Sequence, residues 1–183
     1  RPLNFEALIT LELGEDPIMK GGPIGTENMI VLFTMFLMRG IEGAMALRRH
    51  LRLNADHRTV TWHLPVSKND PAALGCYRTW GCVCMGNSRH RGCPYHAAEA
   101  QLDILTRRFA PQADQEDSLP LFPDIRGEHI SSDIMAKVVD DLAGRIGEEV
   151  IDADGDKVFG NHSWRTGGAV YLTSIGLDPF KIN

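Results

Sequence analysis

An α+β fold, mostly helical with one small three-stranded antiparallel sheet, follows from three features of the sequence. Several stretches carry apolar residues at helical spacing, among them Ala97/Ala98–Leu102–Leu105–Phe109 and Ile134–Val138–Leu142–Ile146. Three short pieces rich in β-formers lie in succession between residues 50 and 81, without helices between them. That order excludes the βαβ alternation of a parallel sheet. Turn chemistry separates the pieces, with Asn54-Ala55-Asp56 after the first and Ser67-Lys68-Asn69-Asp70-Pro71 after the second. A length of 183 residues and a hydrophobic content of 43% suit one generous domain or two small ones.

Residues 1–25 hold Pro2, Pro17, Pro23 and the pair Gly21-Gly22, which predicts a short helix near Phe5–Leu13 and then a linker. Thr26 is the expected N-cap of an apolar helix running to about Leu47, with Glu27 well placed in its first turn. Arg39 and Glu42 fall one turn apart inside that helix. Its longest apolar run, Met29–Met38, is too short to span a bilayer and predicts a buried helix and no membrane partner. The strands are expected at His50–Asn54, Thr59–Val66 and Gly75–Gly81, with Pro65 marking an edge or a bulge. A helix over His96–Phe109 follows, then a Pro- and acid-rich loop over 110–129. Ser132 or Asp133 caps a helix to about Ile146, and Lys157–Phe159 reads as a brief strand. The final full helix runs from about Ser163 to Ile175 and closes at Gly176, and Asp178-Pro179 opens another. A start at Arg1 and an end at Asn183, inside that new helix, lead us to expect a piece of a longer protein.

The net charge of −5 argues mildly against a nucleic-acid partner, but its distribution is uneven. Arg48, Arg49, His50, Arg52, His57 and Arg58 cluster in one stretch, while acids concentrate at 114–117 and 140–156. A basic first half and an acidic second half can present a positive face locally.

Two short motifs carry the chemistry. Arg39-Gly40-Ile41-Glu42 ends an apolar helix, and Gly160-Asn161-His162-Ser163-Trp164-Arg165 opens another, far downstream. A histidine and an arginine three apart share one helical face. A guanidinium grips two phosphate oxygens in a planar fork, and an imidazole can move a proton. Each motif alone is an ordinary surface pair or helix cap. Their order is specific: R-x-x-E on a helix, a three-stranded sheet with Lys68 in its second turn, then G-N-H-S-x-R and a helix closing at glycine.

That order resembles the catalytic domain of the tyrosine recombinase (phage-integrase-like) family in a divergent form, over roughly residues 26–183. The resemblance implies a partial catalytic domain there, with residues 1–25 a linker or the remnant of an N-terminal domain. It implies Arg39 as the first catalytic arginine, Glu42 as the acid bracing it, Lys68 as the proton donor to the leaving 5′-oxygen, and His162 and Arg165 as the second motif. Such enzymes break and rejoin DNA through a 3′-phosphotyrosine, with no cofactor required for chemistry. The implied partners are double-stranded DNA and other recombinase protomers. The location is intracellular, nuclear in a eukaryote and otherwise cytoplasmic. The family's later His/Trp and its nucleophilic tyrosine are expected beyond the H-x-x-R helix. Tyr171 stands six residues past Arg165, about 240° round the helix, and so points away from it.

All four cysteines fall between Cys76 and Cys93. Cys82-Val83-Cys84 and Cys93-Pro94-Tyr95-His96 have the ligand types and paired spacings of a tetrahedral zinc site, so residues 76–96 read as a zinc-binding insert. Cys76 or His90 could replace one ligand, and reduced thiols without metal are the plain alternative. Zinc–sulfur bonds of about 2.3 Å predict ligand atoms within about 4 Å of one another. Arg89, His90 and Arg91 in the intervening loop are then expected to be displayed toward a partner. Asp152-Ala153-Asp154-Gly155-Asp156 fails as a calcium loop, because Lys157 and Ser163 stand where glycine and glutamate are needed. The rival to the recombinase reading is a zinc-stabilised, non-catalytic module that binds nucleic acid or protein.

Overall fold

The computed structural model describes residues 1–64, 75–86, 88–109 and 118–178. Among these residues, six α-helices and three strands follow one another as α1 (Phe5–Leu8), α2 (Thr26–Met35), α3 (Gly40–Ala44), β1 (Leu51–Asn54), β2 (Thr59–Leu64), β3 (Cys76–Gly81), α4 (Pro94–Arg108), α5 (Ser132–Arg145) and α6 (Ser163–Ser174). The strands form one antiparallel sheet in the order β1-β2-β3. Leu51 pairs with Trp62, and Trp62 in turn with Arg78. Helices with one small antiparallel sheet are the class the sequence predicts.

The element bounds differ from expectation in ways that have local causes. Gly25, with φ of 75°, takes the N-cap of α2, and the Thr26 hydroxyl donates back to the Pro23 carbonyl. Ser131, not Ser132 or Asp133, caps α5 by accepting from the Ile134 amide. Helix α4 starts two residues early because Pro94 suits the first helical position. His50 closes a short 3-10 turn instead of opening a strand. Only Phe5–Leu8 of the first segment is helical. Residues 157–159 form no strand, and only an isolated bridge joins Ile151 to Lys157.

One difference matters for function. The continuous helix expected from Thr26 to about Leu47 is broken in two. Met38 donates to the Phe33 carbonyl and Leu37 to that of Thr34, the paired bonds that close a helix through a left-handed residue. Leu37 is that residue, with φ of 55°, and it is buried. A leucine there costs roughly 1–2 kcal/mol in backbone strain. Burial of its side chain contributes about as much in the other direction.

The core explains why the run from Met29 to Met38 is almost wholly apolar. All but Thr34 of these residues are hydrophobic, and every one is buried. Phe33 lies at the centre, edge-on to Phe122 at 5.4 Å and to Trp164 at 5.6 Å, and tilted against Trp62 at 6.3 Å. Sheet, α2 and α6 thus share one aromatic cluster. Buried Gln101 of α4 donates to the carbonyls of Ile24 and Leu121 and accepts from Asn28, tying α4 to both ends of the core. Leu3, Phe5 and Leu8 belong to the same core. Among the described residues, no helix is long and apolar enough to cross a membrane.

Candidate functional site

Because α2 stops early, Arg39 is the N-cap of α3 with extended backbone, not a mid-helix residue. Glu42 reaches back from the first turn of α3. One of its carboxylate oxygens accepts from the Arg39 amide at 3.0 Å, the other from Arg39 Nη1 at 3.3 Å. Both side chains are about four-fifths covered, at 21% and 22% exposure. The carboxylate therefore fixes backbone and guanidinium together. Arg39 Nε is buried and has no acceptor among the described residues, so the fork is only partly satisfied.

Helix α6 is brought to this point by backbone. The Gly40 amide donates to the Asn161 carbonyl at 2.9 Å, joining the residue after Arg39 to the residue before His162. Asn161 Nδ2 donates to Ser132 Oγ, which anchors the same turn on α5. Gly167 and Gly168 face inward. A Cβ on the first would overlap the Leu3 backbone, and one on the second the Thr34 carbonyl of α2. The Gly-Gly pair after Arg165 therefore lets α6 lie against α2 and the N-terminal segment. Trp164, fully buried on the same face, packs against Phe33 of α2.

Arg165 is half-buried, and its guanidinium is pushed below its ordinary value. Burial is the main cause; the positive charges of Arg39 and Arg78 add to it, and Glu42 opposes it. Arg39 and Arg78, on two other elements distant in sequence, thus lie near enough for their charges to act on Arg165, and Glu42 is ion-paired with Arg39. His162 is exposed at the N-cap of α6 and makes no capping hydrogen bond with its side chain. Lys68 lies outside the described residues.

Arg78 was missed in the sequence, although a signal was present. On β3, Cys76, Arg78 and Trp80 share the half-covered face, while Tyr77, Thr79 and Gly81 are exposed. An arginine between a cysteine and a tryptophan on an inward face needs a partner. Its Nη1 donates to the Phe36 carbonyl, at the break between α2 and α3. The same residue thus braces the turn that presents Arg39.

No tyrosine joins this cluster in the described contacts. Tyr171 packs on Phe5, with ring centroids 4.5 Å apart, and burial followed by the Glu6 charge pushes its phenol up. Tyr77 is exposed and stacks on His63, and Tyr95 is buried.

A second constellation lies where β3 runs into α4. The Cys82, Cys84 and Cys93 sulfurs and a His96 ring nitrogen lie within 4.8 Å of one another, slightly wider than the 4 Å expected, and could hold a metal ion. His90 lies outside this group, and its Nδ1 accepts from the Gly92 amide. Cys76 stands at the opposite end of β3. The loop residues Arg89, His90 and Arg91 are exposed, and both arginines have acceptors within the chain. Arg89 donates to the His96 carbonyl, and Arg91 donates to the carbonyls of Thr10 and Leu11. Backbone carbonyls left over at the end of α1 thus find a donor in Arg91.

No protein-family model and no curated protein matches the chain. Among solved structures, it is similar to the XerH site-specific recombinase bound to its difH substrate in a pre-cleavage complex, with a TM-score of 0.62 and 15% identity. The match covers 99% of this chain and 45% of that one, so the chain spans less than half the length of the recombinase. At this identity the likeness is one of fold: helices around a small antiparallel sheet, arranged as in a site-specific recombinase.

Proposed function

We propose that the arginine cluster binds a DNA phosphodiester, and that the chain is the partial catalytic domain of a DNA strand-exchange enzyme of the tyrosine recombinase type. The observation that carries this reading is half-buried Arg165 within electrostatic reach of Arg78 and of the Arg39–Glu42 pair, with buried Arg39 Nε lacking an acceptor among the described residues. Like charges brought together and partly desolvated are unfavourable, and an anion seated between them reverses the sign. The recombinase-like fold supports DNA as the source of that anion.

In this reading Arg39 and Arg165 hold the non-bridging oxygens of the scissile phosphate, and Glu42 keeps Arg39 in place. Negative charge grows on those oxygens as phosphoryl transfer proceeds, and fixed cations stabilise it with little reorganisation. His162, exposed at the N-cap of α6, moves a proton, and Lys68 protonates the leaving 5′-oxygen. Arg78 acts by positioning. The attacking tyrosine of the 3′-phosphotyrosine step is none of Tyr77, Tyr95 and Tyr171. Residues 26–183 form the partial catalytic domain, and 1–25 are a linker or the remnant of an N-terminal domain. Other protomers complete the assembly on DNA, inside the cell. The chemistry needs no metal, and any metal at the Cys/His cluster is structural.

Duplex binding measured by fluorescence anisotropy tests the reading. Binding should be salt-sensitive and should weaken in an Arg39→Ala, Arg165→Ala double variant. Unchanged binding in that variant would move the assignment to a non-catalytic module whose nucleic-acid or protein contact lies elsewhere.

A further inference from the structure

We propose that Cys82, Cys84, Cys93 and His96 form a structural zinc site that fastens the end of β3 to the start of α4 and, through Arg91, holds the N-terminal segment on the domain. This inference stands whether or not the chain binds DNA.

The geometry suits zinc before any metal is added. With zinc–sulfur bonds of about 2.3 Å, two sulfurs of a tetrahedral site lie about 3.8 Å apart. Cys82 and Cys93 sulfurs are 3.6 Å apart; Cys82 and Cys84 sulfurs lie 3.9 and 3.2 Å from His96 Nδ1. All four cysteines of the chain are free thiols, so a disulfide does not account for the approach. Three thiolates and an imidazole form a soft set that favours zinc over the oxygen-seeking magnesium and calcium. Cys84 Sγ also accepts the His90 amide at 3.2 Å, an outer contact of the kind that orients a metal-bound sulfur.

Binding has chemical consequences. The three thiols lose their protons to solvent as the metal enters. Ligation through Nδ1 puts the remaining ring proton of His96 on Nε2. The Arg58 guanidinium, now 3.3 Å from Nε2, must then turn away, because two donors cannot share that contact. Arg58 is exposed and already lies 6.0 Å from the centre of the Tyr95 ring, which gives it somewhere to rest.

The site also has structural work to do. Between Gly81 and Pro94 the described backbone has no helix or strand, only a bridge from Met85 to Ser88. Such a loop needs a cross-link to hold one shape. From it, Arg91 reaches the carbonyls of Leu11 at 2.8 Å and Thr10 at 3.3 Å, and Gly92 lies against the Phe5 ring. A loose loop would release both contacts.

The test uses the whole chain. Elemental analysis after purification without added chelator should give one zinc per chain. Replacement by cobalt(II) should give the thiolate charge-transfer and d–d bands of a tetrahedral site. Cys84→Ser should lose most of the metal, and Cys76→Ser should keep it. Hydrogen exchange should then show faster exchange at residues 5–11 once the metal is chelated. A folded chain without metal, or one in which Cys76→Ser alone loses it, would overturn the site. If that variant misfolds, a wild-type cobalt spectrum without thiolate bands overturns it instead. Unchanged exchange at 5–11 after chelation would overturn the fastening role.

Discussion

Gly168 lies so close to Thr34 that a Cβ on the glycine would overlap the threonine carbonyl oxygen. This contact sets how near α6 approaches α2, and so how near Arg165 comes to Arg39. Gly168→Ala should therefore act on both stability and binding. The neighbour is backbone and cannot swing aside, so the helices must part. A cost of about 1–3 kcal/mol is expected from overpacking. Denaturant unfolding should show the loss, and duplex affinity should fall in protein that is still folded. Stability equal to wild type would mean that α6 is free to shift.

The arginines should differ in how they fail. Arg39→Ala and Arg165→Ala each remove a charge-assisted contact to phosphate worth about 1.5–3 kcal/mol, or roughly 10- to 150-fold in affinity. Each should also lower the slope of log affinity against log salt by about 1. Arg78→Ala removes both a positive charge and a donor to the Phe36 carbonyl, so it should weaken binding and also destabilise the fold. Arg78→Lys restores charge without the planar fork, and should recover the salt slope more fully than the stability. Anisotropy titrations at several salt concentrations, beside thermal melts, separate these outcomes.

How much of this was legible in the sequence depended on whether the signal was local. The sheet was readable because Thr59-Val60-Thr61-Trp62 favours a strand and Asn54-Ala55-Asp56 favours a turn. The observed pairing of Leu51 with Trp62 follows from both. The gathering of cysteines was readable from spacing alone. The break after α2 was not, because it occurs at Leu37 in the apolar stretch Met35–Met38, with neither glycine nor proline to mark it. Packing around Phe33 overrides helix propensity there. Arg39 and Glu42 were singled out correctly as a pair, but their N-cap geometry depends on that break. The partners of Arg91 are carbonyls some eighty residues away, which spacing cannot reveal.

Acid should loosen the entry to the sheet. His50 Nδ1 accepts from the Leu47 amide at 3.2 Å, which requires that nitrogen to be unprotonated. Burial, then the charges of Arg49 and His63, push the His50 imidazole below its ordinary value. In the unfolded chain it takes up a proton near pH 6.5. Below that pH the unfolded state binds more protons than the folded one, so stability is full above about 6.5 and is lost as pH falls toward the His50 value. One hydrogen bond sets the scale, at about 1 kcal/mol. Unfolding curves between pH 7.5 and 5.5 should show a slope that flattens in His50→Asn. An equal slope in that variant would assign the dependence to another group.

Binding and chemistry should separate in this chain. Tyr171 packs on Phe5, and its phenol is pushed up by burial and by Glu6, the reverse of an activated nucleophile. Tyr77 stacks on His63 across the sheet, on the opposite face of β3 from Arg78. Tyr95 is buried at the start of α4, beside the cysteine cluster. Incubation with a nicked suicide duplex, followed by denaturing electrophoresis, should therefore give no covalent protein–DNA adduct, although the duplex is bound. Tyr171→Phe should bind DNA as the wild type does and should lose at most a little stability. An adduct that forms with the wild type and disappears in Tyr171→Phe would put the nucleophile on α6. The arginine cluster would then have to reach across the Gly167–Gly168 face of that helix, which the packing against Leu3 and Thr34 opposes.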